Sequence, residues 1–173
     1  MGGSLRFSRR ALERSSCVSL SGAKVRAHFA LDVAQPQSEV WRIIADLPRF
    51  LCIDPYHTQV TPLCLDERPG VHLVLEHNAF GVRFRRFGRL LSWREGHGYS
   101  FSDLSALGPT RGFPHVFSVG LEPVGDAETG RSWTRLTVTV KGKWTARWIP
   151  RALALSWLKY TCREHLRLLR GAL

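Results

Sequence analysis

"KVRAHFALDVAQPQSEVWRIIADLPRFL", residues 24–51, changes its apolar period halfway along. As far as Pro36 it alternates. Val25, Ala27, Phe29, Leu31 and Val33 fall on one face, and Lys24, Arg26, His28 and Asp32 on the other, the pattern of a half-buried strand. Beyond Pro36, Val40, Trp41, Ile44, Leu47 and Leu51 recur at helical spacing, with Ser38 placed to act as the N-cap. Pro48 interrupts that helix, because it lacks the N–H the helix needs and its ring clashes with the preceding turn. The stretch therefore predicts a strand followed by two short helices.

Downstream, strand patterns come in quick succession, at residues 57–65, 71–80, 82–93, 97–104, 114–122 and 132–143. They are separated by "DERPG", Gly81, "REGHG", "ALGPTRG" and "VGDAETG", all turn-forming. Connections this short make neighbouring strands antiparallel. After Trp148 and Pro150, "RALALSWLKYTCREHLRLLRGAL" returns to a helical period. Lys159, Arg163, Arg167 and Arg170 form one stripe, and Leu155, Leu158, Cys162, Leu166 and Leu169 fall together away from it. Burying five such side chains yields a gross gain of ~10 kcal/mol, enough to dock the helix on a sheet.

Over the whole chain, 173 residues with 44% apolar content suffice for one domain with a full core or a cavity. No apolar run reaches the ~18 residues of a membrane span. The net charge of +11 is concentrated in residues 1–26, 83–95 and 141–173, and arginines outnumber lysines 21 to 4. Such a charge attracts polyanions, phospholipid surfaces included, and solvated basic faces carry it equally well. Neither aromatic stacking motifs nor a reading helix accompanies it, so specific nucleic-acid binding is not expected. Cys17, Cys52, Cys64 and Cys162 make no CxxC pair, which points to free thiols in a reducing compartment, the cytoplasm. Cys162 and His165, one helical turn apart, are too few ligands for zinc, so no metal is expected and no cofactor motif is present. Residues 1–22, rich in Ser and Arg, read as a poorly ordered basic tail, with an organellar presequence as the other reading. The remainder, 23–173, reads as a single domain.

The order of these elements resembles the START/Bet v 1-like (SRPBCC) superfamily, specifically its polyketide cyclase/dehydrase-type ligand-binding branch. "VWRIIADLPRFLCIDPY" is similar to that family's first helix and the bend after it. "FGVRFRRFGRLLSWREGHGYSFSDLSALGPTRGFPHVFSVGLEPVG" is similar to its central hairpins, and "SWTRLTVTVKGKW" to the strand before its terminal helix. "KGKWTARWIP" replaces the Pro-Gly-type turn that often follows in related members. The resemblance implies an α+β helix-grip fold: a curved six- to seven-stranded antiparallel sheet around a long C-terminal helix, with two short helices after the first strand. It also implies a cavity between sheet and helix that takes lipids, polyketides, isoprenoids or other hydrophobic small molecules.

Strand parity indicates which side chains would line such a cavity. His115 shares parity with Phe117, Val119 and Leu121; Asp103 with Tyr99 and Phe101; Arg86 with Val82, Phe84 and Leu90; His77 with Leu73, Leu75 and Ala79. Four polar groups therefore point into an apolar interior. Arg86 and Asp103 are expected to pair, since an isolated buried charge is too costly. With Phe84, Tyr99, Phe101 and Phe117, and with Leu158 and Cys162 from the helix, they are the expected ligand-binding set. A structural ion pair with bracing histidines explains the same pattern without a ligand. Trp144 and Trp148 beside Arg147 suit an anionic membrane interface, or else close the cavity.

Three functions fit. The first is a non-enzymatic binder or carrier of a hydrophobic small molecule or lipid. The second is a cyclase/dehydratase-like enzyme using His115, Asp103 and Tyr99 as acid/base groups. The third is a quinone or lipid chaperone touching an anionic membrane. Oligomeric state is not legible.

Overall fold

The computed structural model describes residues 11–54, 57–63, 69–70, 72–79, 82–105, 113–125 and 132–173. In chain order these form β1 (Ala11–Ser21), β2 (Lys24–Val33), α1 (Gln37–Ile44), α2 (Leu47–Leu51), β3 (His57–Pro62), β4 (His72–Ala79), β5 (Val82–Arg94), β6 (Gly98–Ser105), β7 (His115–Gly125), β8 (Ser132–Lys143) and α3 (Arg151–Ala172). The strands make one antiparallel sheet in the order β1-β2-β8-β7-β6-β5-β4-β3. β8 returns to lie beside β2, from Lys24 opposite Lys143 to Val33 opposite Thr134.

The sheet has eight strands rather than the six to seven expected, and the additional one, residues 11–21, falls within the segment 1–22 expected as a poorly ordered basic tail. Residues 11–21 pair with β2 through a turn at Gly22 and Ala23, where Gly22 has φ 58°. As an edge strand β1 needs apolar side chains on one face only. Val18 and Leu20 supply them, while Ser16, Cys17 and Ser19 face water, so its composition reads as polar. Residues 1–10 lie outside the described residues.

The helix pair forms as the period change implies. Val40, Trp41 and Ile44 of α1 and Leu47, Phe50 and Leu51 of α2 are buried. Pro48 sits in the first turn of α2, where a missing N–H costs nothing. Asp46 caps that helix, its carboxylate accepting from the Arg49 N–H at 3.2 Å. The N-cap of α1 is Pro36, not Ser38, and makes no side-chain cap bond.

Buried apolar side chains divide into two clusters. The larger joins α1, α2 and the C-terminal end of α3 (Leu166, Leu169, Leu173) to the sheet. The smaller joins Leu20 and Val25 to Ala154 and Leu158 at the other end of that helix. Between them α3 presents Cys162 and His165, and β2 presents Ala27, which is buried yet belongs to neither cluster. Burial at both ends therefore docks the helix and leaves its middle unfilled. No helix among the described residues is long and apolar enough to cross a membrane.

The β5–β6 hairpin is closed by Gly96 (φ 73°) and Gly98 (φ 145°), and a Cβ at Gly98 would overlap the Val119 carbonyl of β7. Gly98→Ala is expected to cost ~2–3 kcal/mol, lowering the melting temperature by roughly 5–10 °C. Gly125→Ala, where a Cβ meets nothing within 4 Å, serves as the control that stays near wild type. Equal melting curves for the two variants would contradict this hairpin geometry.

Candidate functional site

Strand register brings one row of polar residues to one end of the sheet. His57 on β3 lies opposite His77 on β4, and His77 opposite Phe84 on β5. Asp103 on β6 lies opposite His115 on β7, and His115 opposite Gly142 on β8. Arg86, two positions beyond Phe84 and so on the same face, reaches across to Asp103. Gly142 makes room for this row: a Cβ there would sit 2.6 Å from the Cβ of His115 and 2.7 Å from both the Phe113 ring and the Pro114 carbonyl.

Asp103 is the hub. It is 1% exposed, and Arg86 is 8% exposed. Arg86 Nε donates to Oδ1 of Asp103. Its Nη2 donates to the Asp103 carbonyl at 3.2 Å and to the Phe113 carbonyl at 2.7 Å. On the other carboxylate oxygen, Oδ2, the Nε2 atoms of His115 and His77 close in to 3.5 Å and 3.9 Å. The rings are held by stacking: His77 on Phe84 with centroids 5.2 Å apart, and Phe113 on His115 at 4.6 Å. His57 meets His77 edge-on at 4.4 Å.

Burial favours the neutral form of His77 and His115. Desolvation, with His57 adding to it, pushes His77 down to about 4 against the pull of Asp103. His115 is lowered by desolvation too, opposed by Asp103 and by its bond to the Phe113 carbonyl. Desolvation also pushes the Cys162 thiol up to about 11, so at neutral pH it is a small apolar wall group, not a nucleophile.

The polar row forms one end of a cavity of about 180 Å³ between the sheet and α3. Its apolar walls are Val25, Ala27, Phe29, Phe101, Phe117 and Val140 from the strands and Trp157, Leu158 and Cys162 from the helix. An apolar cavity of ~150 Å³ is large enough to take benzene, so the space matches one ring-sized group.

Of the ligand-binding residues expected from the sequence, His77, Phe84, Arg86, Phe101, Asp103, His115 and Phe117 from the strands and Leu158 and Cys162 from the helix all line this cavity. Phe84 sits at its edge, 41% exposed. Tyr99 does not join them. It lies in the larger apolar cluster with its ring stacked on Trp93 at 5.5 Å, so it is placed neither to touch a ligand nor to act with His115. Trp144 packs inward, 6.0 Å from Trp157 and 6.2 Å from Phe113, whereas Arg147 and Trp148 face solvent. Residues 106–112, including the Gly-Pro turn, lie outside the described residues, as does Cys64.

Sequence reasoning missed His57 and Asp54, and weighed His165 only as a zinc ligand beside Cys162 and not as a cavity residue. His57 reaches the cavity because a register shift between His57 and Gln59 reverses the parity of β3, which alternation cannot reveal. His165 lies seven residues after Leu158, a helical repeat legible in principle, and is buried 3.3 Å from the Asp54 carboxylate. Its Nε2 has no hydrogen-bond partner among the described residues.

No family model and no curated protein matches the chain. Solved structures do. One is a START superfamily protein from Mycobacterium smegmatis, with TM-score 0.62 and 18% identity over 87% of this chain and 96% of that one. Another is a protein from Thermus thermophilus, with TM-score 0.60 and 17% identity over 86% of this chain and 95% of that one. The chain has a START-like fold; at such identities the likeness is one of fold alone.

Removing one partner of the buried pair strands the other. Arg86→Met is expected to lose about 3–5 kcal/mol in urea unfolding, and Arg86→Met/Asp103→Leu to regain most of it. If the single and double variants unfold alike, Asp103 does not depend on Arg86.

Proposed function

We propose that this protein binds a hydrophobic small molecule or lipid in the cavity between its sheet and α3, as a binder or carrier and not as an enzyme. One observation carries the reading: the cavity is mostly apolar, along Ala27, Phe117 and Leu158 among others, with its polar groups gathered in the His57, His77, Arg86, Asp103 and His115 row and in the Asp54–His165 pair with Thr161. Mostly greasy walls with a few convergent polar groups are the usual make-up of a small-molecule site. A ring or isoprenoid unit would occupy the apolar part, and a carbonyl or hydroxyl oxygen would meet the polar end.

The geometry is less favourable to a cyclase or dehydratase. A carboxylate that orients a catalytic histidine accepts that ring's N–H and leaves the other nitrogen free to take a proton. His115 instead donates Nδ1–H to the Phe113 carbonyl at 2.9 Å and turns Nε2 toward Asp103. Its lone pair faces the carboxylate rather than a substrate.

Delivery at a membrane is a second reading, favoured by Trp148, which is 84% exposed beside Arg147 and Arg151 and near the exposed Leu153. An indole with neighbouring cations suits an anionic bilayer surface. Wild type is expected to float with anionic vesicles, and Trp148→Ala/Arg147→Ala to stay in the soluble fraction. Flotation indifferent to anionic lipid content would remove this reading.

The binding reading is tested by filling the gap. A panel of aromatic and isoprenoid alcohols, screened by native mass spectrometry, is expected to yield a 1:1 complex with wild type. Ala27→Leu places three more carbons where neither apolar cluster reaches, and should weaken that complex at least tenfold while leaving the melting temperature equal or higher. Undiminished binding by Ala27→Leu would put the ligand elsewhere, and no complex across the panel would dismiss the reading.

A further inference from the structure

His57, His77 and His115 all turn Nδ1 toward a backbone carbonyl: Leu51 at 2.8 Å, Leu75 at 3.4 Å and Phe113 at 2.9 Å. A carbonyl oxygen only accepts, so in the neutral ring Nδ1 carries the proton and Nε2 keeps the lone pair. For two of the rings that lone pair converges on a third donor. Nε2 of His77 and Nε2 of His115 face Oδ2 of Asp103 at 3.9 Å and 3.5 Å. Lone pairs directed at a carboxylate oxygen repel one another unless a cation lies among them. One donor atom each from His57, His77 and Asp103 falls within 4.8 Å of the others.

The surroundings are those of a ligating set. Metal-bound imidazoles almost always donate their second nitrogen to a carbonyl or carboxylate, which fixes the tautomer and the ring orientation. Arg86 plays a comparable part for the carboxylate: by taking Oδ1 it aims Oδ2 at the imidazoles. Its positive charge also tempers the affinity for a second cation, which places the site among moderate rather than very tight binders. A tetrahedral ion with donors at ~2.0–2.2 Å holds them roughly 3.3–3.6 Å apart, a contraction that side-chain rotation of two rings and a carboxylate can supply.

We propose that His57, His77 and Asp103 bind a divalent first-row transition-metal ion of the zinc kind, which takes imidazole and carboxylate together. These residues come from three strands and lie 20 and 26 positions apart along the chain, counted from His57 to His77 to Asp103, so no spacing motif announces them. The fourth coordination position faces the cavity that these residues line, where a water or the polar atom of a small molecule completes the set. The inference stands independently of the hydrophobic-ligand reading, because metal uptake is measured with no organic ligand present.

The test uses the full chain, untagged, stripped with chelator, loaded with Zn²⁺ or Co²⁺ and dialysed. One equivalent of retained zinc is expected, with cobalt ligand-field bands strong enough to mark low coordination number. His57→Ala and His77→Ala should each weaken uptake more than tenfold. His97→Ala, an exposed histidine in the β5–β6 turn, should bind as wild type does. If circular dichroism shows His77→Ala unfolded, His57→Ala decides alone, since His57 is partly exposed at the start of β3. Loss of all metal from wild type on dialysis, or retention undiminished in His57→Ala, overturns the proposal.

Discussion

A guanidinium and a carboxylate buried together at one end of the sheet set the terms for everything around them. Neither Arg86 nor Asp103 could be held there alone, because the desolvation of each costs several kcal/mol. Their shared hydrogen bond, and the two carbonyls that accept from Nη2 of Arg86, fix the spacing of β5 and β6 and the entry into β7. Once this pair is in place, that end of the sheet cannot be sealed by aliphatic side chains. Toward the cavity the helix shows Thr161, Cys162 and His165 where a closed core would need leucines.

The rest of the architecture keeps that region open. α3 is fastened at both ends, by Ala154 and Leu158 to one apolar cluster and by Leu166, Leu169 and Leu173 to the other. Each buried leucine contributes ~1.5–3 kcal/mol, so the helix is held at its two ends while its middle borders the cavity. Opposite that middle stands Ala27, too small to cross the gap. A cavity built in this way is pre-formed, and a ligand entering it need not first order its walls.

How much of this could be read from the sequence follows from which features are periodic. Alternation is a local property, so the inward sets on β4, β5, β6 and β7 were legible from Leu73, Leu75, Phe101, Phe117 and Val119, and His77, Arg86, Asp103 and His115 came with them. Parity gives a face, however, and not a height along the strand. Tyr99 shares the face of Phe101 and Asp103 yet packs on Trp93 at the far end. His57 was hidden by the irregularity of β3, and β1 by the polar exterior of an edge strand. The convergence of His57, His77 and Asp103 arises only when strands distant in sequence are laid side by side, and a one-dimensional search for ligand spacing passes over it.

The central claim is that the interior between Ala27, Phe117 and Leu158 is open space and not close-packed side chain. A crystal pressurised with xenon tests it most directly, because xenon enters apolar cavities of this size without any assumption about the natural ligand. The expected result is a xenon atom against those three side chains, with the Arg86–Asp103 pair unmoved. Strong diffraction with no xenon there, and protein atoms filling the space, would contradict it.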